Sequence, residues 1–250
     1  MIIKKLFTVL LASAAAFGAT AEGLIDTGKA DEFIDISGQI LFGGSYVTND
    51  YTKCFGQISD LNTSMRPAWG VGAVVKFNFN NFVSLGTGLN VTFNSSRMDL
   101  AVTGREGATS ISNVFLRNSF RYIDMPVFVS FGFNIASKVR WNVDAGAFYY
   151  YGIGGSQKAT VYDARVNELG QLITNITNIK THYFNDDNAF INSYRKTDFG
   201  IHLGTGLTFS RLISVGIMAH FGLKNVANTN GLIHPSCHNL NFFATMGYHF

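Results

Sequence analysis

The stretch RYIDMPVFVSFGF, residues 121–133, decides the fold. Every second residue after the arginine is apolar, and the residues between them are a mixed set that includes a charge and a proline. Alternation with period two indicates a β-strand whose two faces meet different surroundings. Two questions follow: which face meets water, and what kind of sheet accommodates Pro126, which has no backbone N–H for a ladder bond.

The composition is apolar, yet the mature chain contains no long apolar run. Charged residues make up 14% of the sequence and aromatic residues another 14%, with 23 phenylalanines, 26 glycines and three prolines. Soluble domains carry about 25% charged residues on average. After the first 21 residues, no stretch reaches the roughly 18 uninterrupted apolar residues of a membrane helix. A transmembrane β-barrel fits both observations, because its lipid-facing residues alternate with interior ones.

Residues 1–21 are predicted to be a secretory signal peptide, and residues 22–250 a single outer-membrane β-barrel domain. Two lysines are followed by an apolar stretch and by the small-x-small cleavage pattern of Ala19 to Ala21. Removal of the two lysines lowers the formal charge from +3 to +1. A charge this small gives no reason to expect nucleic acid as a partner.

Eight segments alternate in the same way as residues 121–133, and the connections between them alternate in length. The segments are 34–47, 67–79, 82–93, 120–133, 139–151, 197–209, 212–224 and 239–250. Short turns at one end and long loops at the other are typical of an outer-membrane barrel rather than of a soluble sandwich. We therefore predict an all-β fold, a closed antiparallel eight-stranded transmembrane β-barrel with short periplasmic turns and long extracellular loops. Its expected location is the outer membrane of a Gram-negative bacterium, with outer-membrane lipid around it.

Three segments carry a family resemblance. YIDMPVFVSFGF is followed by TDFGIHLGTGLTF at 197–209 and by a last strand that ends in GYHF. Together they resemble the PorT-like outer-membrane β-barrel family, whose pattern is Tyr-x-acid-x-Pro, then Asp-Phe-Gly-x-x-x-Gly-x-Gly, then a C-terminal aromatic residue. The resemblance implies a barrel without catalytic residues or cofactor, whose founding members are accessories of a secretion system. It also implies that Tyr248 and Phe250 form the signal read by the barrel-assembly machinery.

The inward positions of the eight segments predict a polar network. With eight strands the lumen is narrow enough for side chains to fill. A turn centred on Arg211 places His202 opposite His220, and the same register places Asp198 opposite Lys224. Two histidines can begin a metal site, but no third ligand accompanies them, so hydrogen-bonded interior histidines are preferred. The predicted network comprises Lys76, Asp124, Arg140, Asp144, Asp198, His202, His220 and Lys224.

Two cysteines lie in long loops that are predicted to be neighbours. Cys54 is in the first long loop and Cys237 is in the fourth. Strands one and eight adjoin in a closed barrel, so these loops emerge side by side. An exported protein with two cysteines is a disulfide candidate, and two free thiols are the alternative.

The long loops at 94–119 and 152–196 are the predicted contact surface for a protein partner. Residues 156–184 form two polar segments around a turn. They either stand above the membrane as a ribbon or add two strands to the barrel. The ribbon is preferred, because neither segment keeps an apolar face for lipid.

Three classes of function remain. The preferred one is a non-enzymatic barrel that acts through its extracellular loops as a structural, binding or assembly component. A barrel enzyme needs a nucleophile, a base and an orienting acid, for which the loops offer only Ser236 near His234 and His238, without a recognisable motif. A small channel is disfavoured by a lumen full of side chains.

Overall fold

The computed structural model describes residues 24–103, 110–167, 169–184, 193–228 and 235–250. The predicted signal peptide, residues 1–21, lies outside the described residues. No helix in the described ranges is long and apolar enough to cross a membrane. The elements are β1 (Ile34–Asn49), α1 (Tyr51–Cys54), β2 (Ile58–Asn78), β3 (Val83–Thr103), β4 (Ser110–Ala136), β5 (Val139–Val166), β6 (Leu172–His182), β7 (Ser193–Tyr194), β8 (Thr197–Phe209), β9 (Ile213–Gly222), β10 (Ala227–Asn228) and β11 (Cys237–His249).

Eight of these strands close into an antiparallel ring. The order is β1-β2-β3-β4-β5-β8-β9-β11, and β11 pairs back to β1. The closing ladder runs without interruption from Ser37↔His249 to Asn49↔Cys237. Tight connections join the ring strands at one end, the short-turn end, and longer ones join them at the other, the long-loop end. The predicted fold class, a closed eight-stranded antiparallel barrel, is confirmed.

The outer wall of the ring is a belt of exposed apolar side chains. On β4, the side chains of Val127 and Val129 face outward. The residues that alternate with them, Phe128 and Ser130, are buried in the lumen. The same alternation leaves large apolar residues exposed on the other ring strands, including Val71, Leu89, Leu203, Ile217 and Met246. Water would make such a continuous belt costly, whereas lipid solvates it. The regular apolar face of residues 121–133 is therefore the lipid face.

Pro126 points into the lumen and interrupts a ladder only locally. The β3–β4 pairing has the same register on both sides of the proline, with Thr87↔Val127 and Asn90↔Asp124, but the two pairs between these are missing. The Pro126 ring lies against Gly88, where an added Cβ would be 3.2 Å from its Cγ. The sheet accommodates the missing N–H at an inward position, without a bulge in this ladder.

β2 to β5 continue beyond the belt at the long-loop end, and β6 joins them there. β6 pairs with β5 from Ser156↔His182 to Val166↔Leu172 and takes no place in the ring. The ribbon interpretation of residues 156–184 is confirmed, and the ten-stranded alternative is wrong. We call these parts of the strands, together with β6, the outer sheet; it consists of residues 58–66, 94–103, 110–120, 152–166 and 172–182.

Candidate functional site

A chain of hydrogen bonds between buried side chains fills the middle of the lumen. The β8–β9 ladder pairs His202 with His220, as the predicted register requires. His220 Nδ1 lies 2.6 Å from the Tyr150 hydroxyl, and His220 Nε2 lies 2.7 Å from His202 Nδ1. Asn241 Nδ2 donates to the Tyr150 hydroxyl at 3.2 Å. The consistent assignment has Tyr150 donating to His220 and His220 donating to His202, with both rings neutral.

The predicted network residue Asp124 completes this layer from the opposite wall. Gln39 Nε2 donates to Asn90 Oδ1 (2.7 Å), and Asn90 Nδ2 donates to Asp124 Oδ2 (2.9 Å). Asp124 Oδ1 is 3.9 Å from His220 Nδ1, too far for a hydrogen bond. Within the described ranges, no group of three or more His, Cys, Asp or Glu side chains is arranged to hold a metal ion. The side chains of this layer fill the middle of the lumen, and their hydrogen bonds connect strands on different sides of the barrel.

The predicted Asp198–Lys224 pair is wrong. Asp198 Oδ2 accepts a hydrogen bond from Asn239 Nδ2 at 2.8 Å, whereas Lys224 Nζ donates to Thr197 Oγ1 at 2.5 Å. The described residues contain no ion pair between Asp198 and Lys224. The reason is that the ladder ends at Gly200↔Gly222, so the hairpin register no longer controls the residues beyond it.

Two of the remaining predicted lumen residues, Lys76 and Arg140, line a cavity of about 1200 Å³ at the short-turn end. Lys76 Nζ lies 4.0 Å from Asp144 Oδ1. Arg140 Nη2 donates to the Asn81 carbonyl oxygen at 2.5 Å. The segment before β1 reaches this mouth, where the Leu24 carbonyl oxygen accepts a hydrogen bond from a backbone N–H of β4 at 2.9 Å. These charged groups therefore lie toward the short-turn end, below the hydrogen-bonded middle layer that contains Asp124.

Aromatic rings close the lumen toward the long-loop end. Tyr122 and Tyr150 are fully buried and stack with ring centroids 4.9 Å apart. Above them Tyr183 stacks on Phe120 at 4.3 Å and on Tyr194 at 4.4 Å. Tyr183 and Tyr194 belong to the connection between β6 and β8, so the described ends of that connection lie over the long-loop end of the lumen. We call these five rings the aromatic plug.

Sequence analysis assigned no role to the plug. Tyr183 and Tyr194 lie in a loop, where no periodicity indicates that a side chain will be buried. The concentration of tyrosine and phenylalanine around the loop ends was the available signal. Among the described residues, these buried rings therefore occupy the lumen at its long-loop end.

Both cysteines are free thiols in the structure. Cys54 Sγ lies 3.7 Å from Asp50 Oδ1, and Cys237 Sγ lies 3.4 Å from the Tyr51 hydroxyl. The first and fourth loops are neighbours, because Ser236 N donates to Asp50 Oδ1 at 2.6 Å. The predicted bridge is thus not formed here, and for the oxidised protein it stays a prediction.

A serine–histidine contact lies near the same loops. Ser236 Oγ is 3.0 Å from His238 Nε2. His238 Nδ1 is buried and has no hydrogen-bond partner among the described residues. Without an acid at Nδ1 to orient the ring, this pair lacks the third element of a nucleophilic site. His234, the other histidine considered, lies outside the described residues.

The outer sheet has an open edge on β6. On its other side from β5, β6 meets no strand in the described part of the chain. All residues from Leu172 to Asn178 are exposed, and three of them are the apolar Leu172, Ile173 and Ile176. An exposed edge presents a row of unpaired N–H and C=O groups to any extended chain.

The chain matches the family described as outer membrane protein beta-barrel domain over residues 35–228. A search of curated proteins found no match. Similar solved structures include the attachment invasion locus protein Ail of Yersinia pestis, with 15% identity, 86% of this chain and 98% of that chain covered, and a TM-score of 0.35. Neisserial surface protein A is 8% identical over 88% of this chain and 100% of that chain, with a TM-score of 0.35.

The outer membrane protease OmpT of Escherichia coli is 13% identical over 92% of this chain and 100% of that chain, with a TM-score of 0.30. Because these identities and TM-scores are low, the similarities carry no argument about function, which must be inferred from the residues of this chain.

Proposed function

This chain belongs to the outer membrane protein beta-barrel domain family, and from that premise we propose that it is a non-enzymatic barrel that binds a protein partner through the β5–β6 ribbon of its outer sheet. The family match supports placing the apolar belt in outer-membrane lipid, and the proposal takes the long-loop end to lie outside the cell, as is typical of outer-membrane barrels. The outer sheet is then an ordered surface that a partner can reach. The proposal assigns the barrel the role of an anchor for that surface.

The observation that carries this proposal is the open edge of β6. Its residues Leu172 to Ile179 contain no charged residue, proline or glycine. Charges and prolines are the devices that proteins use to protect an exposed edge from pairing. An extended segment of a partner can therefore add to β6 as a further strand, with main-chain hydrogen bonds for affinity and contacts at Ile176 for specificity.

Two alternatives receive less support. The aromatic plug argues against a channel, and the Ser236–His238 pair has no orienting acid among the described residues for an enzyme. The resemblance of residues 122–133 and 197–209 to PorT-like barrels supports a narrower proposal, that the partner belongs to an envelope or secretion assembly. The same resemblance supports Tyr248 and Phe250 as the signal for the barrel-assembly machinery. Both rings are exposed and contact each other at 5.4 Å.

The test is a purification in mild detergent from native membranes. In the ribbon variant, residues 160–178 are replaced by a short Gly-Ser turn that closes on the Ala159↔Ile179 pair. The control variant replaces only residues 167–171, between Val166 and Leu172, and keeps the β6 edge. We expect a partner to co-purify with the unaltered protein and with the control, but not with the ribbon variant.

A photo-crosslinking residue at Ile176 should capture that same partner. Retention of the partner by the ribbon variant would place the contact elsewhere. If no protein co-purifies with any of the three, the assembly role is wrong.

A further inference from the structure

Four cations form a row across the outward face of the outer sheet. The ladders place Arg97 of β3 opposite Arg117 of β4, Arg117 opposite Lys158 of β5, and Lys158 opposite Lys180 of β6. Arg117, Lys158 and Lys180 are exposed, whereas the residues that alternate with them face the core. Since adjacent strands lie about 4.8 Å apart, the row is about 14 Å long. We call these four residues the cation row.

The cation row is unfavourable for the isolated sheet. Like charges directly opposite each other on neighbouring strands are destabilising, and the row contains three such pairs. Arg97 is compensated by Asp99, with Nε–Oδ1 and Nη2–Oδ2 distances of 2.9 Å. The described residues contain no ion pair for Arg117, Lys158 or Lys180. An anion from outside the chain would offset this repulsion.

The height of the row above the membrane indicates where that anion comes from. Phe93 faces outward on β3, stacks on Trp69 at 4.1 Å and lies beneath the guanidinium of Arg121, 6.0 Å from the ring centroid. Such an aromatic pair marks the outer interface of the membrane. Arg97 is four residues further along β3, hence about 13 Å along the strand and about 10 Å above the interface for a strand tilted by about 40°.

Lipid headgroups approach this height without reaching it. The polar region of a bilayer extends roughly 5–8 Å beyond the hydrocarbon on each side. Long arginine and lysine side chains can lie back along the sheet toward it. Arg121, whose guanidinium lies over Phe93, extends the positively charged surface from the cation row to the membrane interface. A macromolecule in solution would meet the cation row only beside the membrane, whereas lipid headgroups are always present beneath it.

We propose that the cation row binds the phosphate groups of an anionic glycolipid in the outer leaflet. Arginine holds a phosphate through two parallel N–H···O bonds, and lysine supplies a compact charge beside it. Two neighbouring phosphates on one glycolipid would span adjacent positions of the row. The bound glycolipid would neutralise the repulsion and set the height and tilt of the outer sheet. This proposal goes beyond partner binding and does not depend on it. The two proposals can be tested separately, because the ribbon variant described above keeps Lys158 and Lys180.

The test uses the full chain, folded in zwitterionic detergent, and lipopolysaccharide truncated to its phosphorylated inner core. The row variant is Arg117→Gln/Lys158→Gln. The control variant is Lys53→Gln/Arg165→Gln, which removes the same charge from exposed positions outside the row. We expect the row variant to bind the glycolipid at least tenfold more weakly and the control to bind within twofold of the unaltered protein. The charge-preserving variant Arg117→Lys/Lys158→Arg should retain binding.

Two further probes identify the ligand chemistry. The same glycolipid with its phosphates removed, and inorganic phosphate alone, should each bind at least tenfold more weakly than the phosphorylated glycolipid. Equal binding of the dephosphorylated glycolipid, or unaltered binding by the row variant, would overturn the proposal. Tight binding of a soluble polyanion such as dextran sulfate without binding of the glycolipid would also overturn it.

A stability measurement separates this role from a structural one. In detergent without glycolipid, at low ionic strength, the row variant should unfold at the same temperature as the unaltered protein or at a higher one, because it relieves like-charge repulsion. A structural role for these side chains predicts a lower unfolding temperature. Heat-dependent mobility in gels reports folding for every variant.

Discussion

At the scale of single residues, burial controls the chemistry of the two thiols. Cys237 is fully buried, and burial raises the pKa of its thiol to about 12. Partial burial and the neighbouring Asp50 carboxylate also raise the pKa of Cys54, which is half-exposed. The thiolate is the reactive form, so both residues should react more slowly than a free cysteine at neutral pH.

We predict that iodoacetamide at pH 8 modifies Cys54 at least tenfold faster than Cys237 in the folded protein. Both rates should rise with pH, because each raised pKa leaves mostly thiol at pH 8. Peptide mass spectrometry of samples quenched at intervals measures the two rates. In denaturant the two sites should react alike. Equal rates in the folded protein would contradict the placement of Cys237, and a mass lower by the two hydrogens of a disulfide would show that the predicted bridge forms.

Residue pairs could be predicted only where a short turn fixes the register. The turn after β8 places His202 opposite His220, and the structure has that pair. The same reasoning fails for Lys224, which lies beyond the end of β9. Tyr150, which donates to His220, comes from β5, a strand that is not adjacent to β9 in the ring. Contacts across the lumen depend on ring diameter and side-chain length, which periodicity does not contain.

At the scale of strands, the alternation changes phase where each strand leaves the membrane. On β3 the apolar residues up to Phe93 face lipid, whereas Met98 and Leu100 beyond it face the core of the outer sheet. Lipid needs apolar side chains outside, and water needs them inside. A pattern with a single phase predicts loops where the second phase begins, whereas residues 156–184 were predicted as a ribbon from their two polar segments around a turn.

Close approach between strands gives a prediction at the same scale. An added Cβ at Gly43 of β1 would overlap the Phe242 carbonyl oxygen of β11, whereas nothing lies within 4 Å of one at Gly154. We predict that Gly43→Ala lowers the free energy of unfolding by roughly 1–3 kcal/mol. Gly154→Ala is the matched control and should change it by less than about 0.5 kcal/mol. Urea titration followed by tryptophan fluorescence measures both, and equal effects would contradict the strand contact.

At the scale of the whole molecule, the barrel is divided into three layers with different tasks. A charged mouth occupies the short-turn end, a hydrogen-bonded layer around His220 occupies the middle, and the aromatic plug closes the long-loop end. The sequence was sufficient for the ring and its narrow lumen, because eight alternating segments limit the diameter. It was not sufficient for the plug, since a loop that folds back leaves no periodic signal. The proposed function consequently lies on the outer sheet and its surroundings.

The measurement that tests this account most directly is the conductance of the purified full chain in planar bilayers. The structure predicts no current steps above the empty-bilayer baseline, because the rings of Tyr122, Tyr150 and Tyr183 fill the lumen. Gel mobility must first show that the reconstituted protein is folded, and a general porin serves as the positive control. Regular steps from the folded, unaltered protein would show an open path through the barrel, and would contradict a protein that acts through its outer surface.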